Sequence, residues 1–255
     1  MGWEVSGFRT VTTIGFITPY IEDGIDVYLV GNNREILPKL PKDSVDLIYV
    51  DPPYNAKYSF EDQGEYLSGI RTRLMEFKRV MRPTGLFLYH FDHECSLKIR
   101  DLVRVWLDSV FDSHHLQAEM VWQKIAIPNR CALVAASSMD TIVAYSQGPS
   151  FAFRPERIPL DREIKPVSKP IWKRQKPLKL MRTLIEATSQ RGAMVLDPFA
   201  GSGTTLIAAQ QLGRRFIGID NQVKAKRIWR QRIKRVREFE KCESWKLTPW
   251  RSRGT

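Results

Sequence analysis

The sequence predicts an α/β fold, a mostly parallel sheet with helices on both faces. Short apolar runs rich in β-forming residues alternate with longer stretches of helical periodicity, which is the order of a parallel sheet. Two of these runs, Val45–Val50 and Met194-Val195-Leu196, stop at loops that start with Asp-Pro and read as buried strands. Strand, helix and strand between residues 45 and 89 form a βαβ unit.

Each predicted helix and strand has its own pattern. The helix at 64–81 ends before Pro83-Thr84-Gly85, where a turn is expected, and the helix at 206–212 ends at Gly213. The last helix, 222–240, has apolar residues at helical spacing on one face and basic residues elsewhere. The other strands are expected at 86–89, 118–124, 141–145 and 216–219, and the other helices at 96–110 and 178–189.

The composition indicates one globular domain, residues 1–255, with an anionic partner. A hydrophobic content of 43% and an aromatic content of 11% are enough for a packed core. The formal net charge of +12 favours nucleic acid first and an anionic membrane second. No stretch has a secretory-signal pattern or the roughly 20 apolar residues of a membrane span, so we expect a cytoplasmic protein.

No metal site is predicted. The cysteines Cys95, Cys131 and Cys242 are far apart and form no C-x-x-C pair. The run from His90 to Cys95 contains several potential ligands, but it lacks the spacing of a metal site. It reads better as a polar cluster at a strand end.

A glycine turn after the second Asp-Pro strand indicates a nucleoside site. Gly201-Ser202-Gly203 joins this strand to a helix, so the backbone can approach a ligand closely and helix-terminal N–H groups face negative charge. Asp220 ends the next strand, where its carboxylate can accept hydrogen bonds from both ribose hydroxyls. No Lys follows Gly203, which argues against a triphosphate-binding loop. S-adenosylmethionine, a nucleoside without a triphosphate, fits this pattern.

The first Asp-Pro loop, Asp51-Pro52-Pro53-Tyr54, has the groups that methyl transfer to an exocyclic amine needs. Asp51 can supply a carboxylate and Pro52 a backbone carbonyl as acceptors for the amine hydrogens, and the prolines stiffen the loop. Tyr54 offers an aromatic face for a base that has swung out of its duplex, a stacking contact worth ~1–3 kcal/mol. Positioning and electrostatics then carry the reaction.

Both loops resemble those of the DNA amino-methyltransferases, which have D-P-P-Y for catalysis and D-P-F-x-G-S-G-T for the cofactor. The catalytic motif comes first here, as in the permuted group usually called the beta class. The resemblance implies a Rossmann-like, seven-stranded sheet with one antiparallel strand and S-adenosylmethionine as cofactor. It implies that Lys176 holds the methionine end of the cofactor and that Asn32 stands where members commonly have an Asp that contacts the adenine. The implied cofactor-binding residues are Asn32, Lys176, Asp197, Phe199, Gly201, Ser202, Gly203, Thr204 and Asp220.

Target recognition is expected from a short basic insert, residues 151–177. Family members commonly have a much longer recognition region between the middle strands and the cofactor motif. A short insert reaches few base edges, which predicts a short recognition sequence, a homodimer or a partner subunit. The expected DNA contacts are Arg154, Arg157, Lys173 and Arg174.

Adenine in double-stranded DNA is the favoured substrate, because cytosine-amine enzymes more often carry S-P-P-Y. Cytosine is the second alternative, since Asp51 can accept from either amine, and a structured RNA is the third. A catalytically silent DNA-binding subunit is an alternative of another class, favoured by Asn32 and the short insert. The intact Asp51, Tyr54 and Asp220 argue against it.

Overall fold

A seven-stranded sheet forms the centre of the protein in the computed structural model, which describes residues 26–53, 64–92, 95, 97–124, 139–148 and 164–246. The strands are β1 (Val27–Val30), β2 (Val45–Val50), β3 (Met81–Phe91), β4 (Leu116–Gln123), β5 (Met139–Ser146), β6 (Met194–Asp197) and β7 (Arg215–Asp220). They lie in the order β1-β7-β6-β2-β3-β5-β4. β5 pairs antiparallel with β3 and β4, and the other neighbours pair parallel, which confirms the predicted sheet.

Helices cover both faces of this sheet, as predicted. In the described part of the chain they are α1 (Asn33–Ile36), α2 (Gly64–Val80), α3 (Leu97–Phe111), α4 (Leu178–Thr188), α5 (Thr204–Gln211) and α6 (Val223–Lys246). Alternate residues of β2 serve the two layers, with Ile48 packed on the side of α1, α2 and α3 and Leu47 on the side of α4, α5 and α6. Burial of each such side chain contributes about 1.5–3 kcal/mol, so both layers stabilise the sheet.

The segment Pro83-Thr84-Gly85 is part of β3 and not the turn that the sequence predicted. Val45 pairs with Met81 and Leu47 pairs with Leu86, so β3 bulges away from β2 between these two pairs. The bulge is exposed at 82–84, where proline costs no ladder hydrogen bond. The Pro and Gly therefore interrupt the pairing without ending the strand.

The first strand, β1, and the short helix α1 were not among the predicted elements. β1 is four residues long and pairs with β7 at the edge of the sheet. Such a short apolar run gives little periodic signal. Asn32 caps α1, its side chain accepting a hydrogen bond from the Arg34 N–H.

The carboxyl ends of β2 and β6 meet at the centre of the sheet, because these two strands are neighbours. The chain leaves β2 toward α2 and β3 on one side, and leaves β6 toward α5 and β7 on the other. The two loops therefore diverge and open a crevice, which is where α/β sheets bind ligands. Asp51 follows β2 and Asp197 ends β6, so both Asp-Pro loops lie at this crevice.

The described residues contain no helix long and apolar enough to cross a membrane. Over the same ranges, no group of three or more His, Cys, Asp or Glu side chains could hold a metal ion.

Candidate active site

A cleft of about 680 Å³ lies at the crevice, and most of the predicted site residues line it. Its lining includes Asp51, Pro52 and Pro53, together with Lys173 and Arg174. The predicted cofactor residues in the lining are Asn32, Lys176, Asp197, Phe199, Gly201, Ser202, Thr204 and Asp220. Gly203 is not in the lining, and Tyr54, Arg154 and Arg157 fall outside the described residues.

The glycine turn between β6 and α5 requires its glycines. Gly201 and Gly203 have φ values of 49° and 73°, in the left-handed region that other residues avoid. A Cβ on Gly203 would lie 2.2 Å from Cδ1 of Trp229, and one on Gly201 would lie 2.9 Å from Nε1 of Trp172. Gly203 thus packs on α6 behind the cleft, whereas Gly201 lies beside the Trp172 indole at the cleft wall.

Two side chains that the sequence analysis missed brace this turn. The Tyr28 hydroxyl of β1 donates to the carbonyl of Gly201 at 2.7 Å. The Arg232 guanidinium of α6 donates to the carbonyl and hydroxyl of Ser202 and to the Thr204 hydroxyl, at 2.7–2.9 Å. Burial lowers the pKa of Arg232 to about 10, so it remains charged at neutral pH. The sequence did not predict the role of Arg232, because it belongs to a run of basic residues in α6. Spacing alone does not distinguish a partly buried arginine from solvated ones.

Asp220, at the end of β7, both holds the turn and faces the cleft. One carboxylate oxygen accepts the Gly201 N–H at 3.0 Å and the other accepts the Gln222 N–H at 2.8 Å. Each oxygen has a second lone pair, so the group can still accept from a ligand hydroxyl. Burial raises the pKa of Asp220, while the two backbone hydrogen bonds oppose that effect.

Asp197 lies beneath the turn, with 3% of its surface exposed. Its carboxylate accepts the Phe199 N–H at 3.0 Å. Burial raises the pKa of Asp197 to about 7, although hydrogen bonds from Thr205 and Phe199 oppose the rise. The carboxyl group therefore titrates near neutral pH.

Asn33 and Arg73 connect the β1 end of the cleft to the cofactor loop, and the sequence analysis named neither. Asn33 donates to the carbonyl of Pro198 at 2.8 Å and accepts from Arg73 Nε at 2.5 Å. The Arg73 guanidinium carbon lies 5.7 Å from the centre of the Phe199 ring. The preceding residue, Asn32, uses its side-chain oxygen to cap α1, which leaves one further lone pair on that oxygen.

Lys176 lies beside the loop that follows β2. Its ammonium is 3.1 Å from Oδ2 of Asp51, and the lysine is only 9% exposed. Burial by itself lowers a lysine pKa, but the carboxylates of Asp51, Asp140 and Asp92 outweigh it and raise the pKa of Lys176. The expected contact with the methionine end of a cofactor stays a prediction, whereas the ion pair with Asp51 is part of the structure.

The sequence of the chain matches the model of a known family. Residues 45–231 fit the model of the N6/N4 methyltransferases, described as DNA methylase. The chain belongs to this DNA methylase family. The match begins at β2 and ends within α6, so it includes both Asp-Pro loops of the cleft.

Individual relatives of this DNA methylase agree with the family match. The Type II methyltransferase M2.DpnII of Streptococcus pneumoniae is 25% identical over 260 residues, which cover 86% of this chain and 94% of the relative. The YubD protein of Escherichia coli (strain K12) is 26% identical over 224 residues, covering 82% of this chain and 90% of YubD.

Two solved structures show the same fold. TTHA0409 of Thermus thermophilus, solved in complex with S-adenosyl-L-methionine, superimposes with a TM-score of 0.63 at 24% identity, covering 82% of this chain and 94% of that one. The cytosine-N4-specific PvuII DNA methyltransferase superimposes with a TM-score of 0.63 at 16% identity, covering 76% and 81% of the two chains. At these identities the likeness establishes the Rossmann-like fold.

Replacement of Gly203 by Ala is expected to destabilise the methylase by about 2–4 kcal/mol, because left-handed strain and a clash with buried Trp229 add together. Gly192→Ala is the matched control, since Gly192 has a φ of 81° with nothing within 4 Å of the added carbon. It should cost only the strain, about 1–2 kcal/mol. Urea unfolding measures both variants, and equal costs would contradict the packing role of Gly203.

The pKa of Asp197 gives a pH dependence of stability whose sign is fixed. Because the folded protein holds this proton up to about pH 7 and the unfolded chain releases it near the ordinary value of 3.8, stability is lost as pH rises between these values. Relative to Asp197→Asn, the wild type should lose up to about 4 kcal/mol between about pH 4 and pH 8. Urea unfolding of both proteins across this range is the measurement, and a constant difference between them would contradict the assigned pKa.

Proposed function

We propose that this methylase transfers the methyl group of S-adenosylmethionine to the exocyclic amine of adenine in double-stranded DNA. The observation that carries the proposal is the convergence of Asp51 and the Gly201 turn on one cleft. We further propose that residues 1–255 form a single methyltransferase domain. Its roles divide between the β2 loop, the β6 loop and the insert at 151–177.

Asp51, Pro52 and Pro53 are the proposed acceptor loop. The Asp51 carboxylate and the Pro52 carbonyl would accept hydrogens from the amine, which makes its lone pair more available and holds it in line for transfer. The Lys176 ammonium lies 3.1 Å from Oδ2 of Asp51 and holds that oxygen in place. Tyr54 is proposed as the stacking face for the extruded base.

The residues around the glycine turn fit S-adenosylmethionine. The cleft has the volume of small-molecule sites, about 300–1,000 Å³, and its turn leaves no side chain at Gly201 between backbone and ligand. Asp220 would accept from the ribose hydroxyls, while Asn32 and Phe199 line the same wall. The remaining proposed contacts are Lys176, Asp197, Ser202 and Thr204 in the lining, with Gly203 supporting the turn from behind. When bound, the cofactor supplies an electrophilic methyl group on a sulfonium.

Adenine is preferred to cytosine in this proposal because position 51 is Asp rather than Ser, as in the adenine-specific members that the loop resembles. The fold does not distinguish the two bases, since the structure of a cytosine-N4-specific enzyme superimposes on this chain. Both amines present hydrogens that Asp51 can accept. The methylated product therefore has to identify the target base.

Asp51→Ala should reduce methyl transfer by at least about 10²–10³-fold, because an acceptor preorganised for the transition state is lost. The dissociation constant of S-adenosylmethionine should change by less than about 3-fold. Labelled transfer to unmethylated genomic DNA followed by nucleoside mass spectrometry measures activity and base together. Labelled 6-methyladenine supports the proposal. Labelled 4-methylcytosine would show that the target base is cytosine and not adenine. A parallel loss of cofactor binding would contradict the role of Asp51.

The counterpart variant, Asp220→Ala, should weaken cofactor binding by about 10-fold or more, because it removes the ribose acceptor and a bond to the Gly201 N–H. At saturating cofactor its turnover should approach that of the wild type. Cofactor binding without transfer in the wild type would instead favour an RNA substrate, a missing partner or the silent-subunit alternative. Size-exclusion chromatography of the same sample tests the proposed homodimer.

The insert at 151–177 is proposed to contact DNA through Arg154, Arg157, Lys173 and Arg174. Two of these, Lys173 and Arg174, line the same cleft as the acceptor loop. A basic side chain there can neutralise a phosphate close to the extruded base. Such phosphate contacts add affinity but do not read the DNA sequence. Because the insert is short, few of its side chains remain to contact base edges.

The double variant Lys173→Glu/Arg174→Glu should weaken DNA binding and lower the slope of log affinity against log salt by about 0.9 for each phosphate that is no longer neutralised. Lys39→Glu/Lys42→Glu is the matched control. It makes the same charge change on exposed residues at the amino end of β2, whereas the cleft lies at the carboxyl ends of the strands. Fluorescence anisotropy at several salt concentrations is the measurement. An equal effect in both double variants would mean that only the net charge of the protein matters, and it would contradict a specific DNA contact by the insert.

A further inference from the structure

A buried polar chain lies behind the acceptor loop. The Tyr49 hydroxyl is 2.7 Å from Nδ1 of His90, and Nε2 of His90 is 2.8 Å from Oδ2 of Asp140. His90 and Asp140 are 0% exposed and Tyr49 is 2% exposed. Since a carboxylate only accepts, Nε2 must hold the ring hydrogen and Nδ1 must accept from Tyr49. The distances therefore assign one tautomer to His90.

Asp140 is the anionic end of this chain. Burial alone raises a carboxyl pKa, but the hydrogen bond from His90 and the nearby positive charges outweigh it, so the pKa of Asp140 lies well below its ordinary value. Burial lowers the pKa of His90, which keeps the imidazole neutral at neutral pH. The Lys124 ammonium, 2.7 Å from Oδ1 of Asp140, holds the second oxygen. Both oxygens of Asp140 are thus fixed from two sides.

Asp140 in turn faces the lysine that binds the acceptor loop. The Lys176 ammonium lies 3.8 Å from Oδ2 of Asp140 and 3.8 Å from Oδ2 of Asp92. Asp92 is itself 3.9 Å from Lys124. The Asp92 and Asp140 carboxylates therefore determine where the Lys176 ammonium lies. The ammonium contacts Oδ2 of Asp51 at 3.1 Å. Because Lys176 binds one oxygen of Asp51, it fixes the rotation of the carboxylate and the direction of the other.

We propose that Tyr49, His90 and Asp140 are positioning residues for methyl transfer, which hold the Lys176 ammonium where it orients the Asp51 carboxylate. The inference rests on the proposed acceptor role of Asp51. None of the three needs to touch the substrate amine to act in this way. A misplacement of about 1 Å in a reacting group can cost about 100-fold in rate, so a small loosening of the chain has a measurable effect.

Tyr49→Phe tests the chain with the loss of a single oxygen. We expect kcat to fall by about 10–100-fold, while KM for cofactor and for DNA changes by less than about 2-fold. Tyr145→Phe is the matched control, because Tyr145 is also fully buried and its hydroxyl donates to Asp108, away from the cleft. Both variants should lose similar amounts of thermal stability, but Tyr145→Phe should retain wild-type kcat. Equal kcat in the two variants would overturn the proposal.

Asp140→Asn provides a test that does not depend on turnover. In its crystal structure we expect the Lys176 ammonium and Asp51 Oδ2 to separate by about 1 Å or more beyond their present distance. An unchanged pair would overturn the positioning role. Separation with undiminished kcat would overturn the link to catalysis. Absence of methyl transfer by the wild type would instead refute the proposed function, and the crystal structures would still decide whether the chain positions Lys176.

Discussion

The pairing of β2 with β6 at the centre of the sheet is the constraint on which the rest of the structure depends. These strands are far apart in sequence, yet they are parallel neighbours in the register Leu47 to Val195 and Ile48 to Leu196. Asp46 reinforces the pair, since its carboxylate accepts the N–H of Met194 at 2.7 Å. Because the pairing aligns the strand ends, the acceptor loop and the glycine turn face the same cleft.

Charge is the second requirement of the site. Three carboxylates, Asp51, Asp92 and Asp140, lie around the buried ammonium of Lys176 and the partly buried ammonium of Lys124. Buried carboxylates are costly unless they are paired and hydrogen-bonded, and here every one of these contacts is to a lysine whose own burial is compensated. The cluster therefore keeps its carboxylates paired with ammonium groups next to an apolar core.

The fold was largely predictable because its strands have strong local patterns. Val45–Val50 was predicted with its observed bounds, and most helix ends were within a few residues of the predicted ones. Local pattern failed where tertiary pairing decides the outcome. The bulge at 82–85 depends on the register with β2, and β1 is a strand chiefly because β7 offers it an edge. Neither property is visible in a window of single-sequence periodicity.

The site was predictable in its motifs but not in its supports. Asp51, Gly201 and Asp220 belong to recognisable loops, and the structure places all three in one cleft. Arg232 and His90 act from α6 and β3 through contacts that close only in three dimensions. A basic helix and a His-rich strand end each had a simpler interpretation from sequence. The role of Lys176 illustrates the limit, since the motif placed it at the site while only the folded chain shows its pairing with Asp51.

The bracing of the glycine turn by both β1 and α6 has a consequence for the order in which the protein is made. Tyr28 is synthesised among the first described residues, whereas Arg232 and Trp229 belong to the last described helix. The acceptor loop leaves the ribosome well before the turn that it faces, and the turn leaves before the helix that supports it. Since domains generally fold as units, the turn cannot have all of its supports until α6 has been synthesised. The nascent chain therefore lacks part of the brace on its glycine turn until translation has passed Arg232.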